Sequence, residues 1–434
     1  MYYDKRKKSF NQFLIIWFGE FISSIGTGMT AFALSVYVFK VEQNATSVAL
    51  VVLAAFLPIV LLGPIAGVLA DRYDRRLLMM LGDGLSSIGL FVILAAYMNH
   101  SLTLTIILVG VSFSSLWSAL LDPAYKASIS EILTEEDYAK ASGLVQLAGA
   151  SKYLLSPMIA GFLLTIVDLD FILIVDIATL IITIVAVFIV KRQLNTSKKE
   201  IVNQHFLKDF KDGLVTLIAH KGVVLLVILL SVVTFFIGFV QTLYTPMILS
   251  ISTEKVLGIV ESISAIGLLA GSLYIGIKNY GNHFLKMMII GIVFMGIFIL
   301  FLGTSTNLWA IGIWGFLLFA TLPFINTGAE VLIRKNIPNE QQGRIWGLIG
   351  LISQMGYLVA YIVSGILADY IFTPMLTQDG LLAASVGKII GVGESRGIGF
   401  MFMISGTFII ISGIGLARNR AVKKLEVQSV SQVI

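Results

Sequence analysis

Two charged side chains stand where the sequence is most apolar. Glu20 lies in IIWFGEFISSIG and Lys152 in AGASKYLLSP. A charge at the centre of a bilayer costs about 2.5–3.5 kcal/mol even on the mildest scale, so each needs a reason. A carboxyl and an amine that face one cavity influence each other's protonation, and opening the cavity to either side shifts that balance. Glu20 and Lys152 are therefore the candidates for proton coupling. The plainer reading is a fixed ion pair tying two helices together.

A second cluster is the stretch GVLADRYDRR. It sets Gly67, Asp71, Arg72, Arg75 and Arg76 between two apolar runs. Gly67 carries no side chain, which lets a neighbouring helix approach. Asp71 falls at a helix C-terminus, where the dipole disfavours an anion, so it should seek a cation. Arg72, Arg75 and Arg76 are the cations at hand. Such a cluster would hold in one packing of the helices and break in another. Asp83 and Asp122, near helix ends, read as latch or capping groups of the same set.

Trp117 and the mid-helix amides Gln241, Asn326 and Gln354 are candidates to line a substrate cavity. An apolar site with few polar groups suits amphipathic molecules. Asp176 reads as structural, Glu261 as an acid near an outer membrane surface, and Glu330 with Arg334 as a helical ion pair four residues apart. No catalytic constellation is present. The four histidines (His100, His205, His220 and His283) show no metal-binding spacing, there is no cysteine, and no Gly-x-x-x-x-Gly-Lys-Ser/Thr pattern occurs. No metal, no cofactor and no ATP hydrolysis is expected.

The elements that position these residues follow from composition. Charged residues make up 13% of the chain against 57% hydrophobic, where soluble domains carry roughly 25% charged. Many runs exceed the ~18 apolar residues that mark a spanning helix. The fold class expected is all-α integral membrane, with twelve spans at about 11–38, 45–70, 75–98, 102–122, 140–167, 171–190, 222–250, 257–277, 286–304, 308–333, 344–371 and 398–416. With a cytoplasmic N-terminus, 25 of the 30 basic residues fall on the cytoplasmic side, as the positive-inside rule demands. Both termini are then cytoplasmic and the protein is a multi-pass cell-membrane protein. The basic excess is a topology signal, so no nucleic-acid partner is expected. The expected domains are a six-helix bundle over 1–192, a cytoplasmic linker with an amphipathic helix over 193–221, a second bundle over 222–417, and a cytoplasmic tail over 418–434.

GVLADRYDRR resembles the loop 2–3 signature of the major facilitator superfamily, with Asp74 where a second Gly is usual. LDPAYKASISEILTEEDYAKASGL, VDIATLIITIVAVFIV and FLKDFKDGLVTLIAHKG are similar to its macrolide-efflux-type branch, the transmembrane secretion effectors among drug exporters. SPMIAG resembles a weakened form of the helix 5 motif of drug–proton antiporters, with Ser156 in place of Gly, then Pro157 and Gly161. The resemblance implies two six-helix bundles and alternating access. It implies a latch role for the loop 2–3 residues, and proton-driven efflux of an amphipathic, macrolide-like drug, hence antibiotic resistance. The partners implied are that small molecule, protons and membrane lipids. Export of an endogenous lipid, siderophore or peptide is the alternative. A non-transporting receptor or a lipid-modifying enzyme ranks lower.

Overall fold

A computed structural model describes residues 2–193, 214, 215, 217–278, 283–337 and 339–431. Every regular element among them is helical. In lipid no water is available to the backbone, so a helix, which satisfies its own amides, is the default for such runs. The helices are α1 (Tyr2–Glu42), α2 (Ala45–Arg72), α3 (Arg75–Met98), α4 (Leu104–Ser118), α5 (Leu121–Ile132), α6 (Tyr138–Leu154), α7 (Ser156–Leu163) and α8 (Leu169–Gln193). The second series is α9 (Lys221–Leu249), α10 (Glu254–Ile277), α11 (Phe284–Thr304), α12 (Leu308–Asn336), α13 (Asn339–Leu367), α14 (Glu394–Arg418) and α15 (Arg420–Ser431).

Eleven helices among the described residues are long and apolar enough to cross a membrane, α4 and α5 together counting as one. The twelfth expected span, 140–167, is divided into α6 and α7 at Leu155. The cause is local. Pro157 has no amide hydrogen to give to the preceding turn. The predicted amphipathic linker helix lies for the most part outside the described residues. The stretch expected as a cytoplasmic tail contains α15, which is packed and not free. Its Val422 and Leu425 are buried, Glu426 Oε1 accepts from the Leu285 amide at 3.2 Å, and the Leu425 carbonyl accepts from Asn336 Nδ2 at 3.1 Å.

The chain divides into two compact units. One holds Met1–Gln43, Leu50–Val202 and Thr253–Ser262; the other holds Asn44–Ala49, Asn203–Ser252 and Ile263–Ile434. In the first, α1 packs on α6, α7 and α8, and α3 on α4 and α8. Its core includes Phe13, Ile16, Leu78, Met79, Tyr125, Ile132 and Val187. In the second, α11 packs on α12 and α14, and α9 on α13. Glycines let α11 and α14 touch: a Cβ on Gly303 would lie 2.2 Å from the Gly399 carbonyl. Close approach of this kind replaces the hydrophobic drive that lipid removes. Beyond α13 the chain runs through a π-helical turn, Ala368–Phe372.

The first unit is also fastened by charge near the start of α1. Arg6 Nε and Nη2 donate to the two Asp137 oxygens at 2.8 and 2.7 Å, and Nη1 pairs with Glu136. The hydrogen bond from Arg6, and then its charge, hold the Asp137 carboxyl below the usual carboxylate range. A lowered carboxyl stabilises the fold above its unfolded value of about 4, and that contribution fades as pH falls through the folded value. Arg6→Ala should therefore flatten the acid limb of the melting temperature plotted against pH, below about pH 5.

Candidate functional site

The loop 2–3 cluster is built around helix ends. Asp74 caps α3, its Oδ1 accepting from the Arg76 amide at 2.9 Å and the Leu77 amide at 3.3 Å. The cap fixes the chain so that Arg75 and Arg76 start α3 pointing inward. Both are buried. Arg75 donates to the Ala127 carbonyl at 2.5 Å and the Ala70 carbonyl at 3.3 Å. Glu131, on α5, lies 3.3 Å from Arg76 and 3.8 Å from Arg75. Lys191, on α8, sits 3.5 Å from Asp74. The arginines thus find their acid on α5, a partner the sequence reading missed. α2 ends at Arg72, which is exposed.

One expectation is corrected. No described atom lies within 4 Å of where a Cβ on Gly67 would stand. The packed face of α2 at this level is formed by Ala66 and Ala70, both buried. Four-residue spacing puts those two on one side and Gly67 on the next one round.

The buried acids lie deeper in the first unit. Glu20 on α1 keeps Oε1 buried with no hydrogen-bond partner, as Asp83 on α3 does with Oδ2. Asp176, on α8, is buried and accepts from Thr27 at 3.3 Å. Asp122 is exposed and pairs with Lys126 at 2.8 Å. Trp117 keeps its buried Nε1 without a partner. Glu330 and Arg334 form the expected pair at 2.5 Å.

The helix 5 motif is two contacts. Ser156 Oγ donates to the Ile25 carbonyl of α1 at 3.0 Å. Gly161 meets the first turn of α10, where a Cβ would lie 2.6 Å from the Glu254 carbonyl, and Pro157 O would lie 2.2 Å from a Cβ on Gly258. Glu254 also pairs with Lys40 of α1 at 3.1 Å.

In the second unit Gln241, Asn326 and Gln354 are all exposed, and Gln241 accepts from Tyr361 Oη at 2.8 Å. Gln354 belongs to a wider feature. Gly347, Gly350 and Gln354 form one open face of α13, with nothing described within 4 Å of a Cβ on either glycine. In the first unit Ser142, Gly143, Gln146, Gly149 and Tyr153 form an open face of α6, again with empty space at both glycines. The sequence signal for these faces was small and polar residues recurring at helical spacing. Open amides within a span point to water and not to acyl chains, since lipid cannot satisfy them.

Comparison with known proteins places these features. A profile of the Major Facilitator Superfamily matches residues 16–285. Macrolide efflux protein A of Streptococcus pyogenes is 24% identical over 431 residues, covering 96% of this chain and 98% of that protein. Quinolone resistance protein NorA of Staphylococcus aureus is 23% identical, covering 86% and 95%. Among solved structures, the nucleoside transporter NupG superposes with a TM-score of 0.69 at 15% identity, covering 94% of this chain and 100% of that one. A bacterial homologue of the iron transporter ferroportin gives 0.67 at 11% identity, covering 96% and 99%.

Proposed function

The chain belongs to the major facilitator superfamily, and from that premise we propose that it exports a hydrophobic or amphipathic compound, macrolide-like in character, by proton-driven alternating access. The coarser statement needs no proposal: it is a multi-pass membrane transporter and not an enzyme. The observation that carries the finer reading is the open face on each unit. Ser142, Gln146 and Tyr153 on α6, with Gly347, Gly350 and Gln354 on α13, offer small, polar and aromatic surface within spans. A few amides on an otherwise apolar wall suit an amphipathic guest. Relatives named for macrolide efflux and quinolone resistance support the direction and the drug class.

In this reading Glu20 is the group that takes the coupling proton, with Asp83 as its buried neighbour, and Lys152 balances Asp176. Residues Gly67–Arg76 with Glu131 form the latch. The bias of basic residues supports cytoplasmic termini. The test is erythromycin uptake into everted vesicles, with and without an uncoupler. Uptake that the uncoupler abolishes supports the proposal, and uptake indifferent to it excludes proton drive. Glu20→Gln should reduce uncoupler-sensitive accumulation by about tenfold or more, the loss that goes with a missing proton-transfer group. Full retention would remove Glu20 from the coupling role.

A further inference from the structure

Residues 376–393 join the span that ends at Met375 to the span that begins at Glu394. They do not form an open loop. The Leu382 amide donates to the Met375 carbonyl at 2.9 Å, Gly387 to Leu382 at 2.8 Å, and Gly393 to Leu376 at 2.8 Å. The last of these bonds brings the two ends of the segment together. Gly393 adopts φ +131°, which glycine alone takes without strain. Arg396, buried at the start of α14, fastens this end to the preceding turn by donating to the Ser305 carbonyl at 3.0 Å.

The segment is apolar on two sides. Leu376 and Ile390 face inward and are buried, while Leu381 is 87% and Ile389 85% exposed. Ile389 and Ile390 are chain neighbours pointing opposite ways. A surface turn in water has a use for one apolar side only; the second calls for an apolar partner. The span that leads into the segment carries an exposed apolar stripe on α13. Val359, Ile362 and Ile366 are exposed at helical spacing, and Tyr370 continues the row at 74% exposure. Trp309, at the start of α12 and close in sequence to Ser305, is 77% exposed. Exposed Trp and Tyr at the ends of spans are the mark of the membrane–water boundary. Lys388 is exposed beside Ile389, where its stem can lie on apolar surface and its ammonium can reach a phosphate.

We propose that residues 376–393 form an interfacial element that seats Leu381 and Ile389 in the bilayer leaflet at that end, with Lys388 at the lipid headgroups. The surface continues the lipid-facing side of α13 past the end of its span. It is independent of what the protein transports.

The chain has no cysteine, so single thiols report without background. Leu381→Cys, Ile389→Cys and Asp379→Cys in the full chain would each carry an environment-sensitive fluorophore, in vesicles of phosphatidylcholine with phosphatidylglycerol. Asp379 is exposed and polar, and serves as the aqueous control. The labels at 381 and 389 should be quenched by lipids with a nitroxide near the headgroup and should lose the iodide quenching seen at 379. Iodide quenching equal to that at 379, with no effect of the nitroxide lipid, would overturn the proposal. So would protection that vanishes on dilution into excess lipid, because the covering surface would then be a second copy of the chain. Either position alone decides the matter if the other variant fails to fold.

Discussion

Glu131→Ala should lower the stability of the purified protein by about 2 kcal/mol, read as a fall in melting temperature in detergent. Removing one partner of a buried ion pair costs ~3–5 kcal/mol, because the other charge stays buried without compensation. Arg76 is 2% exposed at its side chain and Glu131 32%, so water softens the acid's share and the lower figure applies. Glu131→Gln keeps an acceptor oxygen without the charge and should fall between. The alternative is that the Ala70 and Ala127 carbonyls hold Arg75, and packing holds Arg76, without the acid. In that case the alanine variant would change stability by less than about 0.5 kcal/mol, as a surface substitution does.

Asp369→Ala should free the first turn of α2. The Asp369 carboxylate accepts from the Ala45 amide at 3.0 Å, the Thr46 amide at 2.7 Å and Thr46 Oγ1 at 2.5 Å. These are helix N-terminal donors, and a carboxylate on them satisfies amides and dipole together. The helix has a cap of its own, since Asn44 Oδ1 accepts from the Ser47 amide at 2.8 Å. The loss is therefore the trans attachment and not the helix. Losing charge-assisted bonds of this kind costs about 2 kcal/mol, or roughly thirtyfold in an equilibrium. Val48 is 1% exposed, so Val48→Cys should resist a water-soluble thiol reagent until Asp369→Ala is added. Equal labelling rates in the two backgrounds would show that packing alone holds this turn.

The sequence made the spans legible and left most of their partners hidden. Hydropathy over some twenty residues is a strong, one-dimensional signal, and it located α2 to α4 and α8 to α14 within a few residues, while α1 begins well before its apolar run, at Tyr2. The latch arginines were visible because five charges in an apolar chain demand attention. Their acid was not: Glu131 is an ordinary acid in the last turn of α5, and only folding brings α5 to α3. The described pairings of the loop run through Asp74 and Glu131, two acids to which the sequence had given no partner. Gly67 was placed by its position along the chain; rotation about the helix axis, which decides the neighbour, depends on packing, and the packed face of α2 there is set by Ala66 and Ala70. Pro157 was read as part of a motif, and hydropathy, which is blind to a missing amide hydrogen, did not show that it divides the span at Leu155. Residues 372–397 fell between two expected spans with no structure assigned, because turn hydrogen bonds leave no periodic trace.

The π-helical turn at Ala368–Phe372 winds in one residue more than an α-turn would. Length there is elastic. Deleting Ala368 would let the turn close into plain α-helix without shortening the span beneath it. What the deletion would spoil is aim. Asp369 would swing by roughly 100° about the axis and miss the amides it now holds. A single surplus residue thus keeps regular winding in check so that one carboxylate can reach a neighbouring helix.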